Sequence, residues 1–186
     1  RITERSGIDD VTWSEPPIAV LPGAPYNTDP IRNAIAAAAQ RVVAPDATVH
    51  AFPDSAWAEL LCARPPTRNG PLPSTGNPID DIVAALQTTD DSYLAVQGPP
   101  GTGKTYVGSR AVVRLAQAGW SIGIVAQSHA VVDNFLASVR GADPSVPVGK
   151  EPQAGSDVRQ PWHIRGRLHD WAAAITGGYL IGGTAW

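Results

Sequence analysis

The stretch Val96-Gln97-Gly98-Pro99-Pro100-Gly101-Thr102-Gly103-Lys104-Thr105 decides how this chain is read. Gly98 and Gly103, followed by Lys104 and Thr105, satisfy the G-x-x-x-x-G-K-[ST] spacing of a phosphate-binding loop. Each residue type has a mechanical reason to be there. Glycine lets the backbone wrap tightly and turn successive N–H groups inward, so Gly98, Pro99, Pro100, Gly101, Thr102 and Gly103 make a concave anion nest. A helix starting near Gly103 adds its positive dipole end and the unpaired N–H groups of Lys104, Thr105 and Tyr106. Lys104 then reaches the β- and γ-phosphates, and the Thr105 hydroxyl ligates Mg²⁺. The expectation is a nucleoside triphosphate held from Gly98 to Tyr106, with Lys104 and Thr105 as the catalytic members and Thr105 as the metal ligand.

The flanks extend this reading. Ser92-Tyr93-Leu94-Ala95-Val96 is apolar and β-prone, predicting a strand over 92–97, and Tyr106 to Ala118 is helix-compatible with Gly119 as its stop. Ser121 to Ala126 predicts a second strand, and His129 to Arg140 a second helix stopped by Gly141. Residues 142–161 are polar and rich in proline and glycine, which reads as a loop. Ile164, Leu168, Trp171 and Ile175 recur at helical spacing, and Gly178 to Gly183 predicts a third strand. Strands alternating with helices imply an α/β fold with a parallel sheet flanked by helices; the loop makes it a P-loop NTPase sheet, and the resemblance given below implies its RecA-like form, here incomplete.

Residues 1–76 read as a connector, because 11 of the 18 prolines precede Gly76. Two short helices are expected within it. Asp29-Pro30 starts one running from Ile31 to Val43, and Asp54 caps another that runs to Leu61 before Pro65-Pro66. Asn77-Pro78 repeats the start signal ahead of the apolar stripe Ile79, Ile82, Val83 and Leu86. The domain boundary is therefore expected between residues 76 and 77, with the P-loop domain over 77–186.

Composition narrows the classes. The chain is 43% hydrophobic, which is globular, but its apolar stretches are too short for a membrane span. Cys62 is the single cysteine, so no internal disulfide framework exists, and a cytoplasmic location is expected. Residues 1–90 carry 6 basic against 11 acidic side chains, and residues 91–186 carry 8 against 6. Such a balance gives no independent support for nucleic-acid binding, which has to come from motifs. The start at Arg1 and the end after the apolar run to Trp186 suggest a fragment of a longer protein.

One further segment narrows the reaction. Val125-Ala126-Gln127-Ser128-His129-Ala130-Val131-Val132-Asp133-Asn134-Phe135-Leu136 resembles a superfamily 1 helicase signature, in which a strand ends in a small polar residue followed by a hydrophobic-Asp-Asn run. It is similar to the 5′-to-3′ subgroup that includes the nonsense-mediated-decay RNA helicase. The loop Gln97 to Thr105 is typical of that subgroup too. Ser128-His129 and Leu180-Ile181-Gly182-Gly183-Thr184-Ala185-Trp186 look closest to bacterial proteins that fuse a RecB-like nuclease to such a helicase. The resemblance covers about residues 70–186. It implies an ATP-dependent helicase using ATP and Mg²⁺, with single-stranded nucleic acid as partner, DNA in preference to RNA. The other expected partner is the rest of the helicase chain with a nuclease domain. It also implies that Ser128 and His129 touch the backbone of the strand, while Asp133 and Asn134 read as structural.

The sequence departs from the subgroup in two places. No glutamine stands about 17 residues ahead of the loop to read adenine, and no apolar strand ending in Asp-Glu follows it. The chain alone is thus expected to hydrolyse ATP negligibly. The enzyme rival is an AAA-type ATPase, whose loop shares Gly-Pro-Pro-Gly-Thr-Gly-Lys-Thr; the non-enzyme rival is a module that senses ATP without hydrolysing it. Arg159, Trp162, His163, Arg165, Arg167 and His169 form a basic-aromatic cluster that reads as a solvated helix face in preference to a nucleic-acid channel.

Overall fold

The computed structural model describes residues 27–42, 52–153 and 158–185. Most of the proline-rich start, and part of the 142–161 loop, lie outside the described residues. Contacts divide the chain into two compact units, Arg1–Pro53 and Asp54–Trp186. In the first, α1 (Asp29–Val42) is an exposed helix opened by the Asp29–Arg32 ion pair and by the Asn27 carboxamide, which accepts the Asp29 N–H. The second holds α2 (Ala56–Leu61), α3 (Pro78–Gln87), α4 (Lys104–Gln117), β1 (Ser121–Ala126), α5 (His129–Ala142), β2 (Val148–Lys150), α6 (Leu168–Ala173) and β3 (Tyr179–Thr184). This division falls at 53/54, so α2 sits in the compact unit that carries the loop.

The sheet is parallel, with β3 central between β1 and β2. Its register runs Ser121 to Tyr179 through Ala126 to Thr184 on one side, and Val148 to Leu180 through Lys150 to Gly182 on the other. Helices pack on it through a stripe of α5: Val132, Leu136 and Val139 are fully buried against Leu180, with Val113 and Ala116 from α4. Each such aliphatic side chain contributes roughly 1.5–3 kcal/mol of burial. Ile79, Ile82, Val83 and Leu86 of α3 pack on Ala111 and Leu115 of α4, as the stripe in the sequence implied. Asn77 caps α3, its side-chain oxygen accepting the Ile79 N–H at 3.0 Å.

Four expectations need correction. Residues 92–97 form no strand: among the described residues nothing pairs with them, and Val96 is half exposed. Apolar composition supplies strand propensity, but a strand exists only where a ladder partner lies alongside. β2, conversely, lies within the segment read as a loop. Pro147 and Gly149 look like breakers, yet the Pro147 carbonyl accepts the Leu180 N–H at 2.9 Å. Gly149 is needed because a Cβ there would fall 2.6 Å from the Trp171 ring. The helix expected over 164–175 shrinks to α6, because Ile164 donates its N–H to the Lys150 carbonyl at 3.0 Å and Gly166 turns the chain at φ 94°. α5 also runs past Gly141 to Ala142.

Gly178 makes the closest approach. A Cβ there would stand 2.0 Å from the Ala116 carbonyl oxygen, and backbone cannot give way as a side chain can. Gly178→Ala is expected to destabilise the fold by roughly 1–3 kcal/mol, the range for overpacking. Urea unfolding of the two proteins checks this, and an unchanged midpoint would refute the clash.

Candidate nucleotide-binding site

α4 starts at Lys104 because Gly103 sits in the left-handed region at φ 78°, where a side chain is disfavoured, and Gly101 at φ 82° bends the loop before it. Gly98 is required for a different reason: a Cβ would meet the Thr102 hydroxyl at 2.7 Å. Thr102 itself closes the turn, its N–H and hydroxyl both donating to the Pro99 carbonyl, the hydroxyl at 2.8 Å. The loop therefore wraps back on itself ahead of a helix N-terminus, as an anion nest must.

Within this loop Lys104 Nζ donates to the carbonyls of Gly98 at 2.5 Å and Pro99 at 2.7 Å. An ammonium held by two neutral carbonyls is available to a phosphate, which makes shorter and stronger charge-assisted bonds. Thr105 follows it on the first turn and is exposed. Tyr106 is also exposed, with one ring face covered by the Arg110 guanidinium 3.4 Å from the ring centroid. Gly98, Gly101, Gly103 and Lys104 thus make a loop whose shape and charge fit a phosphate chain, with the Thr105 hydroxyl exposed beside them. Beside Lys104 lies an apolar slot of about 190 Å³ bounded by Ile82, Leu86, Val96 and Phe135.

The loop's approach is anchored by a residue that sequence reading passed over. Glu59 of α2 is buried; its carboxylate accepts the Ser92 hydroxyl and, at 3.0 Å, the Thr67 N–H. The Tyr93 hydroxyl donates to the Arg64 carbonyl at 2.8 Å, so α2 and the turn after it hold the chain five and six positions ahead of Gly98. The Ser92 hydroxyl first, and then Thr67, hold the Glu59 carboxyl below its ordinary 4.5. A carboxyl whose folded pKa is depressed stabilises the fold above its unfolded pKa, and that contribution is lost as pH falls through the folded value. Thermal melts from roughly pH 7 to 3 should therefore show a steeper acid loss in the parent than in Glu59→Gln. Parallel curves would show that the carboxylate is not linked to folding.

Ser128 and His129 lie where β1 passes into α5. The Ser128 side chain accepts the Val131 N–H at 3.3 Å, so it caps the helix while its own proton remains free to donate. His129 is partly buried, and its Nδ1 has no hydrogen-bond partner among the described residues. Asp133, one turn on, is structural. Its carboxylate accepts Lys150 Nζ at 2.9 and 3.0 Å and the Trp162 indole N–H at 2.8 Å, with His163 Nε2 at 3.8 Å. Lys150 is 1% exposed, so this is an ion pair with one fully buried partner. Desolvation pushes the Asp133 carboxyl up, but the Lys150 and Trp162 hydrogen bonds outweigh it and hold it below its ordinary range. Burial first, then the Lys150 charge, hold the His163 imidazole below its ordinary value, with Asp133 opposing in part.

The polarity of the fold places these features together. Gly178, just ahead of β3, abuts Ala116 near the end of α4, and the Tyr179 N–H donates to the Trp120 carbonyl at 3.1 Å. The C-terminal end of α4 is thus at the N-terminal ends of the strands. At ~1.5 Å rise per residue its 14 residues span about the length of β1, which brings Lys104 to the opposite rim. That rim, the carboxyl ends of parallel strands, also carries the Ser128–His129 turn, and it is where open α/β sheets hold their ligands. Among the described residues no group of three or more His, Cys, Asp or Glu side chains is arranged to hold a metal. No helix among them is long and apolar enough to cross a membrane. Compared with protein-family models, curated proteins and solved structures, the chain matches none.

Proposed function

We propose that this chain is the ATP-binding portion of an ATP-dependent nucleic-acid helicase or translocase acting on a single strand, DNA in preference to RNA. The observation that carries the reading is the closed turn Gly98–Gly103 delivering Lys104 to the N-terminus of α4, on the rim shared with Ser128 and His129. In this reading the loop N–H groups bind the phosphates, Lys104 neutralises the β- and γ-phosphates, and Thr105 orients Mg²⁺. Ser128 and His129 hold the backbone of the strand without reading its bases. ATP with Mg²⁺, when bound, supplies the phosphoryl chemistry that drives movement. The remainder of the helicase, with a nuclease domain, is the proposed covalent partner.

The direct test is calorimetric titration of the chain with Mg-ATP, with inorganic tripolyphosphate as competitor. Binding that tripolyphosphate displaces supports the loop assignment, and no binding refutes it. For the strand contact, Ser128→Ala/His129→Ala is expected to weaken single-strand affinity by about the same factor for oligo-dT and oligo-dA. A loss confined to one base composition, or no loss, would reduce Ser128 to a helix cap.

A further inference from the structure

The structure takes the basic-aromatic cluster of residues 159–169 apart. It does not lie on one helix face, because only His169 belongs to α6, with Arg167 at its cap. Trp162 is 7% exposed and spends its indole N–H on Asp133, so it cannot stack on a base. The His163 side chain is 6% exposed, and its Nδ1 accepts the Gln160 N–H at 3.2 Å. Trp162 belongs to the core, and the His163 ring is largely covered at its edge. What remains outward is a cavity of about 560 Å³ lined by Pro152, Arg159, Gln160, His163, Arg165 and Gly166, together with Ile164.

The charge of this cavity is one-sided. Its lining holds two guanidinium groups and no carboxylate. Among the described residues neither Arg159 nor Arg165 forms an ion pair. Among the described residues the nearby acids are engaged elsewhere: Glu151 accepts the Leu168 N–H at 3.1 Å, Asp133 is held by Lys150, and Asp170 faces His169. Two like charges on one concavity repel unless an anion sits between them. Planar guanidiniums suit a phosphate because each can donate two parallel N–H bonds.

Position supplies the second argument. His163 bridges to Lys150, the last residue of β2, and Ile164 hydrogen-bonds its carbonyl. The cavity therefore lies beside the carboxyl end of β2, two strand positions across the sheet from β1, whose carboxyl end leads into Ser128–His129. Asp133 ties α5, the helix that Ser128 caps, to this end of β2, since one carboxylate grips both Lys150 and Trp162. We propose that Arg159 and Arg165 bind a backbone phosphate of the single strand in this cavity, extending the track that begins at Ser128 and His129. This rests on the reading of the chain as a single-strand-binding ATPase.

The test is fluorescence anisotropy of labelled oligo-dT and oligo-dA against the chain between roughly 50 and 200 mM salt. Arg159→Ala/Arg165→Ala is expected to weaken both oligonucleotides about tenfold or more. It should also lower the salt slope by about 0.7 per phosphate lost. Arg159→Lys/Arg165→Lys should restore the slope but only part of the affinity, because the charge returns without the fork. Both arginines are exposed, so a thermal melt should show the variants folded. Unchanged affinity and slope overturn the proposal. So does a loss confined to one base composition, or a loss of Mg-ATP affinity in place of strand affinity. A parent chain that binds Mg-ATP but no strand overturns this proposal and leaves the nucleotide reading standing. One that binds neither removes the reading beneath it.

Discussion

Asp133→Ala is expected to lower the free energy of unfolding by roughly 3–5 kcal/mol, the cost of leaving a buried charge without its partner. Lys150 is 1% exposed and its ammonium donates to both Asp133 oxygens, so the substitution leaves a buried charge without its counter-ion. The substitution also orphans the Trp162 indole N–H, adding the penalty of an unsatisfied buried donor. Against a total stability of about 5–15 kcal/mol, such a loss leaves a marginal protein or an unfolded one. The decisive comparison is Asp133→Ala/Lys150→Met, which removes both charges. It should be more stable than Asp133→Ala alone, because the uncompensated ammonium is gone. Urea unfolding of the single and double variants measures this. A cost below about 1 kcal/mol for Asp133→Ala, or no recovery in the double variant, would show that the pair is solvated despite its burial.

Lys104→Ala is expected to weaken Mg-ATP binding by a factor of about 10 to 150, corresponding to roughly 1.5–3 kcal/mol for a hydrogen bond to a charged group. The side chain is exposed and holds only the Gly98 and Pro99 carbonyls, so its removal should leave the melting temperature nearly unchanged. That separation of binding from stability is what distinguishes a ligand contact from a structural one. Thr105→Ala should weaken binding only when Mg²⁺ is present, because its hydroxyl acts through the metal. Isothermal titration with ATP, in Mg²⁺ and in EDTA, reads both. Parent-like affinity in Lys104→Ala would refute the assignment.

Features governed by neighbours in sequence were legible. The Asn77 cap, the α3 stripe and the start of α4 at Gly103 each depend on residues within a few positions. Features governed by distant partners were not. Residues 92–97 have strand composition, but the edge of β1 away from β3 pairs with nothing among the described residues. β2 hides behind Pro147 and Gly149, whose purpose appears only when Leu180 and Trp171 are brought alongside. The polar network was half legible: Asp133 read as structural beside the stripe Val132, Leu136 and Val139, but its partners Lys150 and Trp162 lie 17 and 29 residues on and were not foreseen. At the candidate site the loop residues were legible by spacing. Glu59, which fastens the segment ahead of the loop, was not, since its partners Thr67 and Ser92 lie far along the chain.

The sheet has a consequence for how the molecule is born. Among the described residues β3 follows β1 and β2 in the sequence, yet it is the strand that pairs with both of them. Until the ribosome has released Tyr179–Thr184, β1 has no strand beside it, β2 has only the Lys150–His163 bridge, and Val132 and Leu136 have no Gly182 to close upon. Helices α3, α4 and α5 can form as they emerge, but the protein stays an open helical intermediate with its apolar stripe in water. Such a chain is a natural client for chaperones, and a nonsense mutation shortly before Tyr179 should yield a product that is degraded or aggregates with its helices intact.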